Sequence, residues 1–169
     1  MKRFLAAALA ALLLAGCGAE DPAEEQPTLK EEMSLQTVLE LAIEDQPLAS
    51  PTPLTKEMLG DLFDLDDKEV AEFAGQITLS MVSADQLVLI KAKPEKLDAV
   101  VKALEARVEL VRQTFRDYIP AEAAKADEGK VFTRGDYAFL VMVGDSQAES
   151  PDYGADVSRT EELILGCFE

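Results

Sequence analysis

The sequence contains no histidine, no asparagine and no tryptophan. The absence of histidine excludes Ser-His-Asp and Cys-His catalysis, and it excludes any zinc site that uses histidine. Neither a P-loop nor a G-x-G-x-x-G pattern is present. The reactive groups that remain are carboxylates, lysines, arginines and three tyrosines. We therefore expect a protein that is not an enzyme and that carries no cofactor and no metal.

Positive charge is scarce, because 16 lysines and arginines stand against 33 aspartates and glutamates, for a net charge of -17. Binding to phosphates needs a basic stripe, so nucleic acid is not an expected partner. The same charge should repel the domain from an anionic membrane surface. The simplest role of this charge is to keep the protein soluble. Binding of cationic partners or divalent ions is the alternative role.

The N-terminus has the pattern of a secretory signal. Lys2 and Arg3 precede an apolar run that ends in Leu14-Ala15-Gly16-Cys17. This resembles a bacterial lipoprotein signal, which implies that residues 1–16 are removed and that Cys17 carries the lipid. A transmembrane anchor is the first alternative, but it would need roughly 20 apolar residues. Ordinary secretion is the stronger alternative of the two, but it leaves Cys17 unexplained. We expect an extracytoplasmic protein that contacts the membrane through lipid on Cys17.

The second cysteine, Cys167, then has no partner for an intramolecular disulfide. A reactive thiol or an intermolecular bridge is possible in principle. However, Cys167 lies in an apolar stretch, and no histidine is present to activate it. We predict that Cys167 is a small buried hydrophobic residue.

Composition divides the remaining chain into two parts. Residues 17–32 are acidic, contain Pro22 and Pro27, and predict a disordered tether behind the lipidated cysteine. Residues 33–169 are enough for a single domain with its own core.

Hydrophobic periodicity predicts mostly helix in the first third of this domain and strands after it. Ser34 and Thr55 are predicted to cap the first two helices, and Asp66-Asp67-Lys68-Glu69 resembles a capping box for a third. Alternating apolar residues predict a strand over Gln76–Val82, and a nearly continuous apolar run predicts a more central strand over Leu87–Lys93.

The second half of the domain also contains a predicted helix followed by a predicted hairpin. One apolar stripe continues from Pro94 to Ile119 and predicts a long helix. Lys130–Arg134 and Tyr137–Val143 predict a hairpin with its turn at residues 135–136. Ser158 opens an S-x-x-E pattern that predicts the last helix.

Together these elements predict an α+β fold. Two hairpins should form a four-stranded antiparallel sheet packed on the one long helix, with extra N- and C-terminal helices. The strand order is left open.

The order and spacing of several segments resemble an uncharacterised family of bacterial lipoproteins, domain of unknown function 4358. The resemblance covers about Leu54 to Asp145. It rests on Leu59-Gly60-Asp61-Leu62-Phe63, on the segment Ser83–Lys93, on the long helix, and on Gly135–Val143. It implies a location and a fold, but no activity.

Few residues are candidates for a site beyond Cys17. The acidic residues between Asp61 and Glu69 do not follow the spacing of a calcium loop, so capping and solvated charge explain them better. The loop that carries Asp145, Glu149, Asp152 and Asp156 leaves calcium binding open as an alternative. Arg134-Gly135-Asp136 spells an adhesion tripeptide, but a turn explains it.

These observations favour a membrane-anchored, extracytoplasmic lipoprotein that acts as a non-enzymatic interaction or accessory module, with an envelope protein as a possible partner. The first alternative is a lipoprotein that binds a small ligand or a cation. The second, less favoured, is a hydrolase that uses a carboxylate pair.

Overall fold

The computed structural model describes residues 26–169, which form one five-stranded antiparallel sheet between two layers of helices. The strands are β1 (Thr52–Pro53), β2 (Val70–Ile77), β3 (Gln86–Ala92), β4 (Lys130–Arg134) and β5 (Tyr137–Met142). The helices are α1 (Leu35–Asp45), α2 (Lys56–Phe63), α3 (Leu97–Phe115), α4 (Pro120–Glu128) and α5 (Tyr153–Leu165). The strand order across the sheet is β1-β2-β3-β5-β4.

Strands β3 and β5 lie at the centre of the sheet and are covered on both faces. Val88 belongs to the same apolar cluster as Leu104 of α3, whereas the next residue, Leu89, packs with Leu39 of α1 and Ile164 of α5. Successive side chains of a strand point to opposite faces, so cover on both faces requires a continuous apolar run. This confirms the prediction that the second strand and the Tyr137–Val143 strand are central.

The α+β class is confirmed, but the prediction of four strands is wrong. The fifth strand, β1, lies in the segment Ser50-Pro51-Thr52-Pro53 before α2, and it pairs Thr52 with Ile77 and Pro53 with Gln76. Proline lacks an N–H group and is tolerated at the edge of a sheet, which is where β1 lies. Residues that precede a proline favour extended backbone, so this segment can serve as a short edge strand.

The third predicted helix is also wrong, because Val70 begins strand β2. The residues of the supposed capping box form a turn instead, in which the Lys68 N–H donates to Asp66 Oδ1 at 2.6 Å. The register of β2 shifts between Val70 and Glu72. Such a bulge adds a residue and breaks the two-residue alternation, which leaves a spacing that resembles a helix.

The predicted strand over Gln76–Val82 ends early. The ladder between β2 and β3 stops at the pair Ile77–Gln86, and residues 78–85 form a loop. Leu79 and Met81 alternate as in a strand, yet 55% and 61% of their surface is exposed. In the described part of the chain, no strand lies beside this segment to bury them.

The helical caps are partly as predicted. Ser34 and Thr55 accept the N–H groups of the third residue after each, which confirms both caps. The long helix ends at Phe115, and Pro120 begins the separate helix α4. The last helix begins before the expected Ser158, because Asp152 accepts the N–H of Ala155 at 3.0 Å.

Residues 1–16 and Cys17, with the first part of the predicted tether, lie outside the described residues. The later part is paired with the C-terminus: Leu29 forms a β-bridge with Phe168, and the Lys30 N–H donates to the Cys167 carbonyl at 3.0 Å. Contacts with the domain therefore begin before residue 33. Among residues 26–169, no helix is both long enough and apolar enough to cross a bilayer.

Candidate functional site

A cleft of about 520 Å³ lies where β2 and β5 end and β3 begins. Three loops form its walls, over residues 46–50, 80–85 and 144–147. Helix α4 contributes Lys125. The cleft is thus built by segments that are distant in the sequence and that meet at one end of the sheet.

Three charged side chains are buried together at this cleft. Lys125 Nζ lies 2.6 Å from Asp85 Oδ1 and 3.1 Å from Glu122 Oε2. The exposed fraction of each of the three side chains is 3% or less. Charged groups almost never lose water this fully unless they are paired. We call Asp85, Glu122 and Lys125 the buried triad.

The buried triad also holds the walls of the cleft by backbone hydrogen bonds. The Ala49 N–H donates to Asp85 Oδ2 at 2.7 Å, and the Ala84 N–H donates to Glu122 Oε2 at 2.7 Å. Ala49 belongs to the first wall, and Ala84 lies in the second. Glu122 therefore connects the second loop to helix α4 directly, and Asp85 connects the first loop to α4 through Lys125.

Tyr153, the first residue of α5, packs behind the triad. Lys125 Nζ lies 5.9 Å from the centroid of its ring, and its hydroxyl is buried with no hydrogen-bond partner among residues 26–169. Burial raises the pKa of the Tyr153 hydroxyl, while the nearby Lys125 ammonium acts in the opposite direction. The Tyr153 ring is therefore a direct neighbour of the Lys125 ammonium.

The charge balance of the cleft is negative. Asp85 and Asp145 line it together with one cation, Lys125, and Glu122 adds a further negative charge behind the surface. The other lining side chains are mostly serine, glutamine and small apolar groups. Such a surface offers hydrogen bonds to polar groups and repels anions.

The acidic segments singled out from the sequence serve local structure. Asp66 closes a turn, and Asp145 Oδ1 accepts the N–H of Gln147 at 2.8 Å. Asp156 accepts a hydrogen bond from Arg159 at 2.9 Å. Within residues 26–169, no three acidic or cysteine side chains form a group that could hold a metal ion.

Two other sequence candidates also have structural explanations. The Arg134-Gly135-Asp136 segment contains the predicted turn between β4 and β5, and Gly135 has the positive φ of 55° that such a turn favours. Cys167 is buried, as predicted, and burial raises the pKa of its thiol.

The buried triad was not predicted from the sequence. Glu122 and Lys125 are three residues apart and so share one face of α4, but charged residues on a short alanine-rich helix usually face solvent. The one available signal is that α4 has no large apolar residue to bury. Asp85 lies 40 residues from Lys125, and only the fold brings them together.

The profile of one protein family matches residues 45–143, which is more than half of the chain. The family is described as a domain of unknown function, DUF4358. The chain belongs to the DUF4358 family. The match confirms the family resemblance, and it contains the whole buried triad, whereas Tyr153 lies beyond the matched DUF4358 region. No curated protein and no solved structure matches this chain.

Proposed function

We propose that this protein is an extracytoplasmic lipoprotein, anchored to the membrane through lipid on Cys17, whose folded domain is a non-enzymatic binding module. The anchor is supported by Lys2 and Arg3, the apolar run that follows them, and the Leu-Ala-Gly sequence before Cys17. Two or more acyl chains hold a protein stably at a bilayer, whereas a single chain holds it only marginally.

A change of Cys17 tests the anchor. In Cys17→Ala, we expect the protein either to stay unprocessed or to be released from membranes. Fractionation and metabolic labelling with a radioactive fatty acid measure both outcomes. Cys167→Ala is the matched control, since it removes the other cysteine and should leave fatty-acid labelling unchanged. Fatty-acid labelling and membrane retention of Cys17→Ala would refute the anchor.

The cleft above the buried triad favours a small polar ligand that is uncharged or positively charged. Its volume of about 520 Å³ falls in the range of small-molecule sites, roughly 300–1,000 Å³. The observation that carries the proposal is that buried Asp85 and Lys125 both line the open cleft. The buried triad holds the walls of the cleft in place before a ligand arrives. Binding then costs less conformational entropy, because the loops are already ordered.

Three probes of one length test the charge preference. Putrescine, 1,4-butanediol and succinate share a four-carbon chain and carry positive, zero and negative charge. We expect millimolar putrescine and butanediol to raise the midpoint of thermal unfolding, because a ligand that binds the folded state stabilises it. Succinate should not raise it.

A variant that fills the cleft separates specific binding from solvent effects. Ser146 lines the cleft and is partly exposed, so Ser146→Trp should abolish the stabilisation by putrescine and butanediol. Lys102→Trp is the control, since Lys102 is exposed on α3 away from the cleft. Stabilisation by succinate, or equal effects in both tryptophan variants, would contradict the proposal.

A protein-interaction module is the second candidate, and the exposed apolar side chains of Leu79, Met81 and Leu110 favour it. A hydrolase with a carboxylate pair is less favoured. The candidate pair would be Asp85 and Glu122, but both carboxylates are already engaged by Lys125 and by backbone N–H groups. A general acid or base needs a carboxyl oxygen directed at the reacting group.

A further inference from the structure

A second groove, of about 280 Å³, lies between the loop after β2 and helix α3. Leu79 and Met81 of the loop and Leu110 of the helix line it, and each has more than half of its surface exposed. We call this the loop–helix groove. It is separate from the cleft above the buried triad, although residues of the 78–83 loop border both. Exposed apolar side chains grouped in this way are typical of protein contact sites.

Arg107 of α3 lies in the loop–helix groove and is half-buried. Its Nε donates to Gln86 Oε1 at 3.0 Å, and its guanidinium carbon lies 5.7 Å from the centroid of the Phe63 ring. Burial lowers the pKa of Arg107, which reflects its partial loss of water. Within residues 26–169, no carboxylate oxygen lies within 4.0 Å of its guanidinium nitrogens.

The neighbouring charges do not pair with Arg107. Asp61 and Asp64 line an adjacent groove that Arg107 also borders, but their carboxylates lie more than 4.0 Å from its guanidinium nitrogens. In contrast, Lys125 and Arg159 each have a carboxylate within 3 Å. The other described basic residues that are buried or half-buried, Lys91, Arg112 and Lys125, each have a carboxylate within 4.0 Å, whereas Arg107 has none. A carboxylate from outside would complete its pairing.

We propose that the loop–helix groove docks a segment of another protein that inserts apolar side chains between Met81 and Leu110 and places a carboxylate on Arg107. Charge complementarity favours a partner segment that carries a carboxylate, because an arginine in an apolar setting binds a planar carboxylate better than any neutral group. Arginine and aromatic residues are also enriched at the energetic centres of interfaces. This docking is independent of the ligand that the cleft binds.

Two dyes test the chemistry of the groove on the purified protein. 1-Anilinonaphthalene-8-sulfonate carries a negative charge, and N-phenyl-1-naphthylamine has the same rings without it. We expect both to bind and fluoresce. Arg107→Gln should lower the affinity for the anionic dye about tenfold, which is the effect of losing one charge-assisted contact. Its affinity for the neutral dye should change less than about twofold. Arg107→Lys should recover part of the loss.

The apolar wall has its own variant and matched control. Leu110→Ser should lower the affinity for both dyes, because Leu110 is exposed and lines the groove. Leu41→Ser makes the same change at another exposed leucine, on α1, and should weaken neither dye. The proposal is overturned if the wild type binds neither dye, if Arg107→Gln weakens both dyes equally, or if the two serine variants behave alike.

The class of partner is tested by a photo-crosslinking amino acid placed at Leu110 of the full chain in its native host. We expect an adduct with another protein, on a segment that has aspartate or glutamate among apolar residues. The yield should fall in Arg107→Gln and persist in Arg107→Lys. An adduct with lipid or with a second copy of this chain, or no adduct at all, would overturn the proposal.

Discussion

The sharpest stability prediction concerns Lys125→Met, which removes the cation of the buried triad. Methionine fills a similar volume, so the packing loss is small and the electrostatic loss dominates. Asp85 and Glu122 would keep their backbone donors but lose the ammonium between them. Breaking a buried ion pair by removal of one partner costs about 3–5 kcal/mol, because an uncompensated charge stays buried.

Urea unfolding followed by circular dichroism measures this loss as a change in the free energy of unfolding. Typical domains have about 5–15 kcal/mol in total, so the variant should be severely weakened but measurable. Lys130→Met is the matched control. Its partner in the ion pair is Glu161, at 2.5 Å, and 48% of the Lys130 side chain is exposed. The loss there should stay within about 1 kcal/mol.

A neutral version of the triad tests whether buried charge is the cause. In the combined variant Asp85→Asn, Glu122→Gln and Lys125→Met, both amide oxygens can still accept the backbone N–H groups and no charge is left unpaired. We expect this variant to be more stable than Lys125→Met alone. A loss below about 1 kcal/mol in Lys125→Met, or a neutral variant that is no more stable than it, would refute the reasoning.

Three further predictions follow from buried groups around the cleft and the C-terminus. Tyr153→Phe should leave the free energy of unfolding at pH 7 unchanged or raise it by up to about 1 kcal/mol, because no described residue forms a hydrogen bond with the hydroxyl. Burial raises the pKa of Tyr153 above its ordinary 10.0, so the hydroxyl loses its proton more easily in the unfolded chain. The free energy of unfolding of the wild type should therefore be constant below pH 10 and fall as the pH rises above it, and Tyr153→Phe should show a smaller fall. Gly144→Ala should destabilise by about 1–3 kcal/mol in urea unfolding, because its φ is 133° and a Cβ would lie 2.7 Å from Tyr153 Cδ1, whereas Gly154→Ala should be tolerated. A polar thiol reagent should label Cys167 slowly in the native protein and quickly in urea, and rapid native labelling would contradict its burial.

Local patterns predicted those elements whose signals are confined to a few neighbouring residues. The caps at Ser34 and Thr55 depend on a side chain three residues from its partner. The turn at residues 135–136 depends on two positions, of which Gly135 supplies the positive φ. The apolar runs of β3 and β5 predicted central strands, because a strand has a continuous apolar sequence when both of its faces are buried.

The same reasoning failed where partners distant in the sequence decide the structure. Strand β2 begins at Val70 because it pairs with β3, and its bulge hides the alternation that would identify a strand. Residues 78–83 alternate like a strand, but none of the strands within residues 26–169 lies beside them to pair with. Pairing is a property of two segments, so periodicity in one of them cannot decide it.

The sequence by itself determined the α+β class, the family resemblance and the burial of Cys167, since each depends on composition or on short-range order. It also carries the whole argument for lipid on Cys17. Only the tertiary structure decided the strand order, the cleft with its buried triad, and the half-buried Arg107. The physical reason is that burial of charge becomes favourable only when distant groups meet: Lys125 can leave water because the fold brings Asp85 to it from 40 residues away.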